Sequence, residues 1–242
     1  MVKVWIFSLM LWFPALVGAQ SLQIQDTVTG DGAELGRHDT AIVHYTGRLE
    51  DGTVFDSSHE RGRSLVVNLG RGEVIPGWDL GLRGMRVGGT RELVIPPELG
   101  YGSQGAGNVI PPNATLHFEV ELLDRIPPPF DGLDNAGLAE KIADGVTLVD
   151  IRRPEEWAET GIVEGSLRLT AFDEEGQLIP EFFPQFVQHV GPDEPVVLIC
   201  RTGSRTGLLA RALADQANYT QVYNVTDGIV QWLEAEQPVV RE

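Results

Sequence analysis

The chain has 242 residues, of which 42% are hydrophobic, enough for two domains with separate cores and against a disordered or fibrous protein. Its formal net charge is -17, with -6 falling on residues 20–126 and -12 on residues 127–242. A surface that acidic repels phosphate backbones and excludes nucleic acid as a partner.

Residues 1–19 read as a signal peptide: Lys3 precedes an apolar run from Val4 to Val17, and Val17-Gly18-Ala19 supplies small residues for cleavage after Ala19. A retained anchor would need roughly 20 apolar residues, whereas this run is shorter and contains Pro14. The expectation is an exported, periplasmic protein with no membrane attachment after cleavage.

Residues 20–126 read as a first domain. Ala41, Val43 and Tyr45 alternate with Ile42, His44 and Thr46, and Ala114 to Leu122 alternates apolar and polar over nine residues, so both segments predict strands with one face in a core. Glu50-Asp51-Gly52-Thr53 between such runs predicts a hairpin turn. Pro127-Pro128-Pro129-Phe130 suits an extended spacer and marks a domain boundary. Beyond it, residues 131–242 read as a second domain. A helix is expected from Leu133 to Asp144, and continuous apolar runs at Val146–Ile151 and Pro195–Ile199 predict buried strands of a parallel sheet.

The chain has one cysteine, Cys200, so an intrachain disulfide is impossible. It closes an apolar strand and opens Cys200-Arg201-Thr202-Gly203-Ser204-Arg205-Thr206, followed by a helix through about Ala217. A glycine-containing loop at a helix N-terminus can turn its amides inward, and Arg201 and Arg205 add positive charge, so the site suits a thiolate or a bound anion. A small buried hydrophobe is the competing reading for a lone cysteine. The five histidines, His38, His44, His59, His117 and His189, lack the spacing of a metal site, and no motif implies a cofactor.

Five segments, Val43-His-Tyr-Thr-Gly47, Phe55-Asp-Ser-Ser58, Gly72-Glu-Val-Ile-Pro-Gly-Trp78, Leu99-Gly-Tyr-Gly102 and Ile110-Pro-Pro-Asn-Ala-Thr-Leu116, resemble FKBP-type prolyl isomerases in order and spacing. The resemblance covers about residues 22–126 and implies an α+β domain, a curved antiparallel sheet around one short helix at Gly77–Leu82. It also implies a pocket of Tyr45, Phe55, Asp56, Val74, Ile75, Trp78, Tyr101, Ile110 and Phe118. In that pocket Trp78 would be the floor, the Ile75 N–H and the Tyr101 hydroxyl would hold substrate carbonyls, and Asp56 would orient the polar edge. Leu65 and Ala106 stand where the family often carries bulkier residues, which implies a wider cleft.

The loop from Cys200 to Arg205 is similar to the active-site loop of rhodaneses. Leu148-Val-Asp-Ile-Arg152, Pro154-Glu-Glu-Trp157 and Val225-Thr-Asp-Gly-Ile-Val-Gln-Trp232 resemble that family's flanking elements. The implied fold is α/β, a parallel sheet flanked by helices over about residues 131–242. The implied chemistry is sulfur transfer, with a persulfide on Cys200 and a donor-binding loop of Arg201, Thr202, Gly203, Ser204 and Arg205. Asp150 and Arg152 are read as a structural pair. The implied partners are proline-containing polypeptides, a small sulfur oxyanion donor and a thiophilic acceptor. The competing reading is a chaperone-like clamp for proline segments whose second domain docks a partner or senses sulfur or redox state.

Overall fold

The computed structural model describes residues 21–241, so the leader expected at 1–19 lies outside the described residues. The first domain comprises β1 (Gln23–Val28), β2 (Thr40–Leu49), β3 (Val54–Ser57), β4 (Leu65–Asn68), α1 (Pro76–Gly81), β5 (Thr90–Ile95) and β6 (Leu116–Ile126). Its antiparallel sheet has the order β1-β5-β6-β2-β3, with β4 also pairing with β2. The long central pair β2/β6 runs in register from Thr40 opposite Ile126 to Leu49 opposite Leu116, with one bulge between Ile42 and Val43. The alternation in both strands follows burial: Ala41, Val43, Leu116, Val120 and Leu122 are fully enclosed, while Glu119 and Glu121 face water. The expected hairpin joins β2 to β3, with Gly52 at φ +86° accepting the backbone that other residues resist.

Helix α1 begins with Pro76 at its first turn, where the missing N–H costs nothing. It buries Trp78 against the concave face of the sheet, with Leu82 and Met85 completing the same core.

The second domain comprises β7 (Asp131–Leu133), α2 (Asn135–Ala143), β8 (Thr147–Asp150), α3 (Pro154–Thr160), β9 (Leu167–Arg168), α4 (Phe182–Phe186), β10 (Val196–Ile199), α5 (Ser204–Ala217), β11 (Val222–Val225) and α6 (Gly228–Glu234). The sheet order is β7-β11-β10-β8-β9 and every pairing is parallel. Both faces are covered. One core gathers Phe182, Phe186, Val196, Leu198, Leu209 and Leu213, and the other Leu138, Val197, Ile199, Ile229 and Trp232. This is why β10 reads as an unbroken apolar run, since all four of its residues are buried. The expected helix at Leu133 starts two residues later, because Leu133 pairs with Val225 in β7 and Asp134 caps α2 by accepting from the Gly137 N–H at 2.8 Å.

Phe130, after the three prolines, is 8% exposed and packs in the second core. Its ring also lies 5.7 Å from that of His38 in the first domain. Among the described residues no helix is long and apolar enough to cross a membrane.

Candidate active sites

The concave face of the first sheet holds a cleft of about 350 Å³ lined by Tyr45, Phe55, Asp56, Leu65, Glu73, Val74, Ile75, Trp78, Tyr101 and Phe118. Trp78 is 3% exposed and its indole meets Tyr45 and Phe118 edge-on, at 5.1 Å and 5.3 Å between ring centroids. Phe55 in turn meets Phe118 edge-on at 5.5 Å. Such perpendicular pairs are favourable for ring quadrupoles and hold the walls rigid. Gly47 makes room for them, since a Cβ there would approach Phe55 to 2.6 Å and Phe118 to 2.8 Å.

Besides Glu73, a cluster centred on Asp56 edges this apolar cleft. Asp56 accepts hydrogen bonds from the Tyr45 hydroxyl and from Arg61, and Arg61 also donates to the Tyr45 oxygen at 2.8 Å. Burial, followed by the hydrogen bond to Asp56, raises the Tyr45 pKa above its ordinary value, so the phenol stays a proton donor to the carboxylate. At the rim, Tyr101 is 40% exposed. The Ile75 N–H, just ahead of α1, donates to no protein group among the described residues.

Eight of the nine pocket residues expected from the sequence line the cleft. The ninth, Ile110, packs in the same buried core as Trp78 and Phe118, and its N–H and carbonyl both bond the backbone of Ala106. Arg61 and Glu73 were not foreseen. Arg61 lies five residues from Asp56 across a turn, and no sequence signal marks that contact.

The second site sits where β10 meets α5. Cys200 is 1% exposed and its sulfur lies 3.3 Å from the Thr206 hydroxyl. The loop above it is tightly built. Gly203 has φ +78° and a Cβ there would overlap the Thr226 carbonyl, while a Cβ on Gly228 would overlap the Cys200 carbonyl. Among the described residues the main-chain N–H groups of Thr202 through Thr206 donate to no protein group. Five such amides at and just before the start of a 14-residue helix are free to receive an anion.

Arg205 of this loop is held by Glu156 of α3, with Nη1 2.9 Å and Nη2 2.6 Å from the two carboxylate oxygens. Burial works against the Arg205 charge, but the hydrogen bond to Glu156 and the attraction of the Cys200 sulfur outweigh it and raise the guanidinium pKa. Glu156 also accepts from the Arg153 N–H at 3.0 Å, the reach-back of a residue three places into its helix. Arg201 and Thr202 are exposed and Ser204 is half-buried. Asp150 and Arg152 form an enclosed bidentate pair at 2.7–3.1 Å, in which Arg152 also donates to Thr160 and to the Gly161 carbonyl. That pair braces β8 against α3.

Sequence reasoning did not foresee the Glu156–Arg205 pair. The signal available was the Pro154-Glu-Glu helix start, which is explained equally well by capping alone.

A curved antiparallel sheet around an aromatic cleft, followed by a parallel sheet with a cysteine loop, defines a two-domain protein of prolyl-isomerase and rhodanese-like class. Comparison agrees with each half. The family described as FKBP-type peptidyl-prolyl cis-trans isomerase matches residues 32–123, and the rhodanese-like domain family matches residues 134–235. The FK506-binding protein of Neisseria meningitidis serogroup A is 57% identical over 103 residues, 43% of this chain and 94% of that protein. FK506-binding protein 2 of Yarrowia lipolytica is 65% identical over 85 residues, 35% of this chain and 59% of that protein. Among solved structures, FkpA from Escherichia coli is 48% identical, covering 44% of this chain and 48% of its own, with a TM-score of 0.41. The chain belongs to the FKBP-type peptidyl-prolyl cis-trans isomerase family and carries a rhodanese-like domain after the isomerase domain.

Proposed function

We propose that this chain is an exported enzyme with two activities, a leader at 1–19, an isomerase domain at 20–126 and a sulfurtransferase domain at 131–242. The isomerase reading rests on the cleft floored by Trp78. Rotation about an X-Pro bond is opposed by about 18–20 kcal/mol of amide resonance, and the planar amide is the more dipolar form. An apolar cleft therefore favours the twisted form without nucleophile or metal, which is differential binding of the transition state. The Ile75 N–H and the Tyr101 hydroxyl hold the substrate's carbonyls at the two ends, and Asp56, fixed by Tyr45 and Arg61, orients the polar edge. Proline-containing segments of exported polypeptides are the substrates.

For the second domain, the observation that carries the reading is Arg205 of the Cys200 loop, tethered by both oxygens of Glu156, together with loop amides that donate to no protein group among the described residues. The Cys200 thiolate attacks the outer sulfur of a donor such as thiosulfate. A new S–S bond forms at Cys200, the donor's S–S bond breaks, and sulfite leaves with its electron pair. The loop amides stabilise the persulfide anion, and Arg201 and Arg205 bind the donor's charge. A thiophilic acceptor then takes the outer sulfur and returns the thiolate.

Intact mass analysis after incubation with thiosulfate tests this: one added sulfur is expected, and it vanishes in Cys200→Ser. If no donor gives an adduct, the sulfur-transfer reading is wrong. One observation favours a clamp over an isomerase, namely that Leu65 lines the cleft where the family often carries an aromatic wall. A protease-coupled assay with a proline peptide decides between them, because a clamp binds the peptide without accelerating cis/trans exchange.

A further inference from the structure

The first domain reaches into the loop of the second. The segment Gly36–Asp39, just ahead of β2, is braced within its own domain: Asp39 accepts from the Gly36 N–H at 2.8 Å and from Arg125 at 2.5 Å. This presents Arg37 and His38 outward. Arg37 Nη1 donates to the Thr202 carbonyl, inside the Cys200 loop, and to the Thr226 carbonyl at 2.8 Å, and it lies 3.7 Å from the Asp227 carboxylate. In return, Arg211 of α5 donates to the His38 carbonyl at 2.8 Å. The His38 ring fills the space in front of Gly207 on α5, where a Cβ would come within 2.6 Å of its Nε2.

These contacts act on the loop's geometry. In a trans peptide the C=O and the following N–H point in opposite directions, so holding the Thr202 carbonyl towards Arg37 sends the Gly203 N–H to the far side. The same guanidinium binds the turn on which Gly203 is packed, so loop and turn are fastened at two points by one side chain from another domain. We propose that Arg37, contributed by the isomerase domain, is a positioning residue of the Cys200 loop, and that docking of the first domain thereby sets the reactivity of the second. The consequence for sulfur transfer rests on the reading given above, whereas the effect on the thiol does not.

The test compares full-length wild type, Arg37→Ala and Arg37→Lys. Three quantities are read: the rate of sulfur loading on Cys200 from thiosulfate by intact mass, the pH profile of Cys200 alkylation by iodoacetamide, and isomerase activity on a proline peptide. Arg37→Ala is expected to lower the loading rate at saturating thiosulfate at least fivefold, to change half-saturation less than twofold, and to displace the alkylation profile. Arg37→Lys, which keeps the charge and can donate to one carbonyl, recovers at least half of the rate. Unchanged isomerase activity shows that the first domain is folded, and an unchanged near-UV circular dichroism spectrum shows the same of the second. Equal loading and superimposable alkylation profiles in wild type and Arg37→Ala overturn the proposal. If the wild type loads no sulfur, the alkylation profile alone decides: displacement upholds the positioning role while sulfur transfer fails, and superposition refutes the role.

Discussion

The cleft over Trp78 is made of side chains, and the loop at Cys200 is made of main chain. In the first, aromatic walls shape an apolar space, with two carboxylates, Asp56 and Glu73, on its edge. In the second, the shape comes from a loop packed against a neighbouring turn, and the proposed chemistry draws on that loop's amides and one tethered guanidinium. A side-chain pocket fails by losing volume or a wall, whereas a backbone loop fails when the groups holding its peptides in place are removed, even those far away in sequence.

Cys200→Ser is expected to break the comparison most completely, by abolishing sulfur loading while prolyl isomerisation proceeds at the wild-type rate; the two assays on one preparation check it. Next is Trp78→Ala, which empties a buried indole site and costs about 3–5 kcal/mol in the first domain. Denaturant titration followed by loss of isomerase activity measures this.

A third change sharpens the comparison at the junction of the domains. Burial, together with Arg37, Arg83 and Arg211, lowers the pKa of His38 from 6.5 to about 4, against a nearby Gly203 carbonyl that favours protonation. Above pH 6.5 the ring is neutral in folded and unfolded chains and has no effect. As pH falls towards 4 the unfolded chain takes up a proton that the folded one refuses, so stability falls by up to about 3 kcal/mol, and below 4 the loss is complete. His38→Gln should flatten that part of the pH–stability curve, and a curve that keeps the wild-type slope between pH 6.5 and 4 counts against it. The smallest effect is expected from Glu156→Gln, which retains shape but frees Arg205. Loading at saturating thiosulfate should drop roughly tenfold, or about 1.4 kcal/mol, with isomerase activity unaltered; a rate within twofold of wild type would show that Arg205 needs no tether.

Much of this architecture was legible in the residues because burial there is periodic or continuous. Ala41, Val43 and Tyr45 point one way along β2 because its sheet is wet on the other face, and Val196–Ile199 is apolar throughout because its sheet is covered on both. The aromatic cleft was legible through spacing that matches a family, and eight of the nine residues so marked line it. Contacts made by docking were not legible. Glu156 meets Arg205 across 49 residues and Arg37 meets Thr226 across 189, and neither partner carries a local pattern that foretells the other. Polar β7 was also missed, because Asp131 and Gly132 look like turn residues until β11 pairs with them.

The burial of Phe130 bears on how this molecule can be divided. A truncation that begins at Asp131 removes an anchoring ring from the second hydrophobic centre, and one that ends at Phe130 leaves that ring stranded in water. Separate production of the two halves therefore calls for a cut among the prolines themselves, with the phenylalanine kept at the amino end of the rhodanese-like piece.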